Sequence, residues 1–183
     1  MPLPALNNLN NVSRHGMIKQ LIALNAALFG GYMLLPGPMG LMYKKYFTLD
    51  ASSSITSLPL CHFGHTSAGS FLFNSAVLWT LGHYHVTKYG CVQMMGVFGL
   101  GCAAASVLGL IDVRKNAHQV IAGGMGGSAA LITYNVFANG SWVNFMRIHP
   151  YVWLTALATY GAFGNDKAAI GGMAGGYLAF MFL

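Results

Sequence analysis

The 183-residue chain contains no glutamate and only three aspartates, Asp50, Asp112 and Asp166, against nine lysines and arginines. Charged residues make up 7% of it, where a soluble globular domain carries about 25%. Too few polar side chains remain to coat a water-facing surface, which argues against a soluble domain. Runs of glutamine, serine or like charge are lacking too, so neither disorder nor a collagen-like fibre fits. Cysteine is scarce and odd in number. Cys61, Cys91 and Cys102 form no CxxC pair, so neither a disulfide framework nor a zinc site is signalled, and all three read as small buried apolar residues.

Hydrophobic residues are abundant, at 55% with a mean hydropathy of +0.56, and 24 glycines stand against 6 prolines. This is the composition of a membrane protein whose glycines serve packing. A net charge of +6 would point to nucleic acid in a soluble chain. Here the cations Arg14, Lys19, Lys44, Lys45, Lys88, Arg114, Lys115, Arg147 and Lys167 stand singly or in pairs between apolar stretches. That is the placing of anchors beside lipid headgroups, and no nucleic-acid partner is expected.

Apolar runs bounded by polar or Gly/Pro punctuation give six expected spans, at about 17–35, 66–81, 91–111, 117–137, 150–163 and 167 to the terminus. The expected architecture is therefore all-α: a polytopic bundle of six transmembrane helices forming one membrane domain over 17–183, preceded by an extended arm over 1–16. No apolar core follows a basic start in that arm, so it does not read as a cleaved signal. Residues 36–65 are too polar to span and too aromatic for a simple tether, and read as an interfacial, partly helical loop. Loop charges divide almost evenly between the two sides and leave the orientation open. Gly123 and Gly127 stand four apart in the fourth span, and Gly171 with Gly175 and Gly172 with Gly176 give two overlapping GxxxG registers in the sixth. Such faces let helix backbones approach in lipid, so the fourth and sixth spans are expected to pack together.

The order of these features resembles the rhomboid family, the intramembrane serine proteases and their non-catalytic relatives, over roughly residues 55–180. The family's His-x-x-x-x-His-x-x-x-Asn segment is matched from His65 to Asn74, with Ser70 at the second histidine. Leu81-Gly82 and Gly90 hold the spacing of the segment that follows, with Val86 at its acidic position. The family's Gly-x-Ser-Gly is matched by Gly124-Met125-Gly126-Gly127, which puts Gly126 where the nucleophile belongs. In the sixth span the base histidine falls on Ala169 or, in the other glycine register, on Ala168. A Ser-His dyad needs an imidazole within hydrogen-bond reach of the hydroxyl, and both halves are missing. A competing register reads Gly126-Gly127-Ser128 as Gly-x-Ser, making Ser128 an alternative nucleophile. The sixth helix still supplies no base for it. The resemblance thus implies a degenerate protease frame in which His65 and Asn74 serve hydrogen bonding within the bundle.

Seven histidines invite a haem or metal reading. His65 and His118 fall on opposite sides of the expected membrane, and no carboxylate or cysteine completes a set with His62 and His65 or with His83 and His85. Interfacial hydrogen bonding is the expectation for the histidines. Trp79, Trp142, Trp153 and the tyrosines Tyr43, Tyr46, Tyr84, Tyr89, Tyr134, Tyr151 and Tyr160 read as interfacial belts. No aspartate lies mid-span, which removes the usual marker of an ion path.

The expected function is that of a catalytically inactive, rhomboid-like accessory subunit of an organellar membrane complex, of respiratory-chain or ATP-synthase type, in the mitochondrial inner membrane. Its partners would be other membrane subunits and lipids, including a bound phospholipid of cardiolipin type, with no small-molecule substrate, cofactor or metal. The alternatives are an inactive rhomboid that binds transmembrane segments in a translocation or quality-control complex, and an active protease using Ser128.

Overall fold

The computed structural model describes residues 16–34, 37–54, 56–115, 120–139, 150–163 and 167–183. The expected arm over 1–15, with Arg14, lies outside the described residues, as do His118, Trp142, Arg147, His149 and Asp166. Among the described residues the regular elements are all helical, apart from one antiparallel bridge between Leu49 and Ile121.

Helix α1 (Gly16–Leu34) is followed by α2 (Pro38–Phe47), which starts as its sequence dictates: Gly37 takes φ +72° and Pro38 occupies the first turn, where a missing N–H costs nothing. A single turn, α3 (Ser57–Leu60), leads to α4 (Ala68–Val77), whose N-cap Ser67 accepts a hydrogen bond from the Ser70 N–H. From α4 the chain continues through a π-helical turn, Leu78–Gly82, into α5 (His83–Tyr89). Asn74, Val77, Leu78, Leu81, Gly82, His85 and Val86 form one buried stripe along this rod. The apolar run expected to stop near 81 therefore belongs to a helical rod reaching Tyr89, and Gly90 at φ +93° ends it, its N–H closing on Val86 O.

Helices α6 (Cys91–Lys115), α7 (Met125–Asn139), α8 (Pro150–Phe163) and α9 (Lys167–Phe182) complete the bundle. Every residue of α7 from Gly126 to Val136 is buried, the signature of a central helix surrounded by others. Helix α9 lies in the groove between α6 and α7, and its two glycine registers divide the work. A Cβ on Gly171 or Gly175 would fall 2.7 Å from Ala105 Cα or 2.8 Å from Gly101 Cα, both on α6; one on Gly172 or Gly176 would fall 2.7 Å from Gly126 Cα or Ala130 Cα on α7. The spacing foretold contact between the helices α7 and α9, and the structure adds α6.

Helix α7 begins at Met125, not near residue 117 as its apolar run implied. The backbone of Ile121 is committed elsewhere: its N–H donates to Leu49 O (2.9 Å) and its carbonyl accepts from Leu49 N–H (2.8 Å), and Gly123 then turns at φ +111°. The bridge pins the loop between α2 and α4 to the entrance of the central helix. Gly123 consequently precedes α7 and shares no helix face with Gly127, whose missing Cβ leaves room for the ring of Phe98.

Two helices, Gly16–Leu34 and Cys91–Lys115, are long and apolar enough to cross a bilayer. Helices α7, α8 and α9 have 15, 14 and 16 residues, short of the roughly 20 that a perpendicular span takes.

Candidate functional site

The segment before α4 and the entrance of α7 bring together the residues that carried the family resemblance. Ser128 Oγ donates to Asn74 Oδ1 at 2.6 Å, Asn74 Nδ2 donates to Ser70 O at 2.9 Å, and His65 Nδ1 lies 3.3 Å from Ser70 Oγ. His65, Asn74 and Ser128 are each at most 1% exposed. Asn74 Nδ2 also reaches Ser70 Oγ at 3.4 Å, and the result is a polar chain, imidazole to hydroxyl to amide to hydroxyl, half-buried at Ser70 and buried at its other members, that links the loop to the central helix. Hydroxyl and amide groups buried in apolar surroundings are stable only when paired in this way.

The chain does not form a nucleophile–base pair. The hydroxyl of Ser128 ends on the carbonyl oxygen of an amide, which removes no proton at ordinary pH, and two further groups separate it from the His65 ring. At Gly126 the Cβ direction runs into Ala105 Cβ and passes 3.0 Å from Gly101 O, so a side chain there would point into α6 and away from Asn74. Ser128, two residues on and about 200° round the helix, is the position that faces Asn74. Ala168 and Ala169 are buried at the start of α9, and a methyl group is neither donor nor acceptor.

Sequence reasoning missed one support of this chain, Tyr43, and the burial of a second tyrosine elsewhere, Tyr134. Tyr43, expected in an interfacial belt, is 8% exposed, and its hydroxyl accepts the His65 N–H at 2.8 Å. Tyr134 is likewise buried, edge-on to His85. His62 Nε2 lies 2.7 Å from Ser106 Oγ, which donates to Leu58 O at 3.0 Å. His62 and His85 are therefore interior groups rather than interfacial ones, and His65 is interior as well. Helical spacing separates His83 from His85: His85 is buried, while His83 Nδ1 lies 2.7 Å from Trp79 O in its own rod. Among the described residues no three His, Cys, Asp or Glu side chains converge as a metal site would require.

Gly123 holds the chain's geometry. A Cβ there would lie 2.7 Å from Ser70 Oγ and 3.2 Å from His65 Nδ1, and its φ of +111° strains any L side chain. Gly123→Ala is expected to cost about 1 to 2 kcal/mol of stability, read as a lowered unfolding midpoint in detergent; an unchanged midpoint would show that the turn is not fixed by this contact.

Burial pushes His62 and His65, both in the loop outside the expected spans, down to about 4 from 6.5, and pushes the neighbouring Cys61 thiol up to about 12. Cys61 is thus a neutral thiol, not a nucleophile. Both imidazoles stay neutral in the fold while the unfolded chain binds protons near pH 6.5. Stability is then complete above 6.5 and falls as pH drops from 6.5 through 4. Hydrogen bonds from the Ser52 side chain hold the Asp50 carboxyl below its ordinary 3.8, adding a further loss only at lower pH. A melting temperature that stays flat between pH 6.5 and 4 would contradict the histidine assignment.

No protein-family model matches the chain, and no curated protein matches it.

Proposed function

We propose that the chain is a non-catalytic, rhomboid-like membrane protein of six spans that acts as an accessory subunit of a multi-subunit complex in an organellar membrane. The respiratory-chain or ATP-synthase class in the mitochondrial inner membrane is the setting we favour. The observation that carries the reading is the use of the protease positions for packing. Gly126 abuts Ala105 and Gly101, and Gly172 abuts Gly126 in turn, so the place of a nucleophile and its approach are filled by backbone. Ser128, the remaining hydroxyl, is bound to an amide.

The membrane part of the reading is supported by the surface as well as by the two long apolar helices. Met33, Leu34, Leu41, Leu72, Val107 and Phe182 are each more than 60% exposed, a density of bare large apolar side chains that water does not tolerate and lipid does. The three shorter spans of the proposal, α7, α8 and α9, cross the bilayer together with their interfacial ends, or where the bilayer thins to meet them.

The test is purification of the tagged protein from its native membrane in gentle detergent, with mass spectrometry of co-eluting chains and a serine-directed fluorophosphonate probe on the same sample. Co-elution in fixed stoichiometry with a large complex and no labelling is the expected result. Elution alone, with labelling that Ser128→Ala abolishes, would overturn the proposal in favour of a protease.

A further inference from the structure

Helix α1 rests on the rod along a narrow stripe, and its two fully buried residues are Ile18 and Asn25. Phe29 stacks on Phe71 with ring centroids 5.0 Å apart, and a Cβ on Gly82 would lie 3.0 Å from Ile18 Cδ1. The same number of residues separates these two contacts on each element, so α1 runs antiparallel to the rod in a defined register. Between them, Ile18, Leu21 and Ile22 pack in the cluster that holds Leu78. Asn25 stands one turn from Phe29 toward Ile18, and Ser75 stands one turn from Phe71 toward Gly82. The contacts on either side therefore set Asn25 opposite Ser75.

Both are polar groups sealed into an apolar contact. Asn25 is 2% exposed, and neither its Oδ1 nor Ser75 Oγ has a hydrogen-bond partner among the described residues. The other asparagines described in helices turn their amide nitrogen back to the carbonyl one turn earlier: Asn74 to Ser70 O at 2.9 Å, Asn135 to Leu131 O at 2.7 Å and Asn139 to Asn135 O at 2.8 Å. Asn25 makes no such bond, which leaves its amide to the interface. A buried amide is costly unless a polar group answers it. A slide of α1 by one turn, about 5 Å, would set the amide against Phe71 or Leu78 and the hydroxyl against Ile22 or Phe29.

We infer that Asn25 and Ser75 are the polar key that fixes the register of α1 on the rod, with one buried water donating to Asn25 Oδ1 and accepting from the Ser75 hydroxyl. Asn25 is thus a positioning residue, a single buried polar side chain that selects one register among apolar alternatives. The key matters most for α1, which is held along one stripe, whereas α7 is buried on every side.

The experiment uses the full chain in mild detergent with two alternative cysteine pairs. Phe29→Cys with Phe71→Cys reports the observed register, and Met33→Cys with Phe71→Cys reports α1 displaced by one turn. Oxidation with copper phenanthroline joins the pair that meets, and mass spectrometry separates that product from any bond to Cys61, Cys91 or Cys102. With Asn25 and Ser75 in place, the first pair is expected to cross-link about tenfold faster than the second. Asn25→Leu and, separately, Ser75→Ala should each bring the two rates to within about twofold of one another. Asn25→Gln, one carbon longer, takes the place of the water and should keep the preference. Ser75→Ala removes a single oxygen from a half-buried side chain, so it decides the question if leucine at Asn25 is too bulky to fold. Equal cross-linking of both pairs in the native background, a preference that survives Asn25→Leu or Ser75→Ala, or one that is lost in Asn25→Gln would each overturn the key.

Discussion

Replacing Gly172 by valine is expected to cost about 3 kcal/mol or more and to leave little folded bundle in detergent. A Cβ at this position would sit 2.7 Å from Gly126 Cα and collide with Gly126 O, and these are backbone atoms of a helix buried on every side. A flexible side-chain tip would swing away from such a contact, but a backbone at the centre of a bundle moves only by displacing its neighbours. Overpacking a tight core costs about 1 to 3 kcal/mol per site and more where nothing yields. Gly176 meets the same helix one turn later, so its valine variant should be coupled to that of Gly172 and fall short of additivity. The control is Gly99→Ala on α6, where nothing lies within 4 Å. There the substitution should be neutral or stabilise by up to about 1 kcal/mol, since alanine costs less to order in a helix than glycine. Denaturant titrations of the two variants in one detergent decide the matter, and a Gly172→Val midpoint equal to that of Gly99→Ala would refute the packing assignment.

The glycines of α9 were legible because their four-residue spacing is itself the geometry of a helix face, and sequence displays spacing directly. Gly123 and Gly127 have the same spacing and a different fate, because sequence does not display the sign of φ. The positive φ of Gly123, together with the commitment of Ile121 to Leu49, starts α7 at Met125. The all-helical class followed from apolar runs alone. What those runs concealed was the rod's continuation past Leu81, since His83, His85 and Lys88 break the apolar pattern while a buried stripe through His85 and Val86 persists beneath it. In the polar chain, His65 and Asn74 stood out by their spacing, whereas Tyr43 lies 22 residues from the His65 backbone it supports. That pairing belongs to the fold of the loop, and no local periodicity announces it. Ser128 was visible as a hydroxyl two residues from Gly126; only the helix direction shows that the first faces Asn74 and the second faces α6.

Lys167→Met is expected to destabilise the protein by about 3 kcal/mol, the second-largest effect of a single change. Its ammonium is paired with Asp112, whose side chain is 1% exposed and whose second oxygen, Oδ2, has no partner among the described residues. Removing one member of a buried ion pair costs about 3 to 5 kcal/mol, because the other charge remains out of water with nothing to answer it. The half-exposed lysine places this pair at the lower end of that range, since water already shares in solvating the ammonium. Asp112→Leu should cost less than Lys167→Met, because the unpaired lysine it leaves has a path to solvent. The double variant should recover most of the loss, as an apolar pair of similar volume replaces a buried ion pair at little net cost. Unfolding midpoints of the two single variants and the double variant complete the cycle, and a double variant as unstable as the sum of the singles would show that Lys167 and Asp112 act independently. The pair joins the end of α6 to the start of α9, the helix whose glycines close on α6 and α7, so its contribution is to fix the register in which those glycines meet their partners.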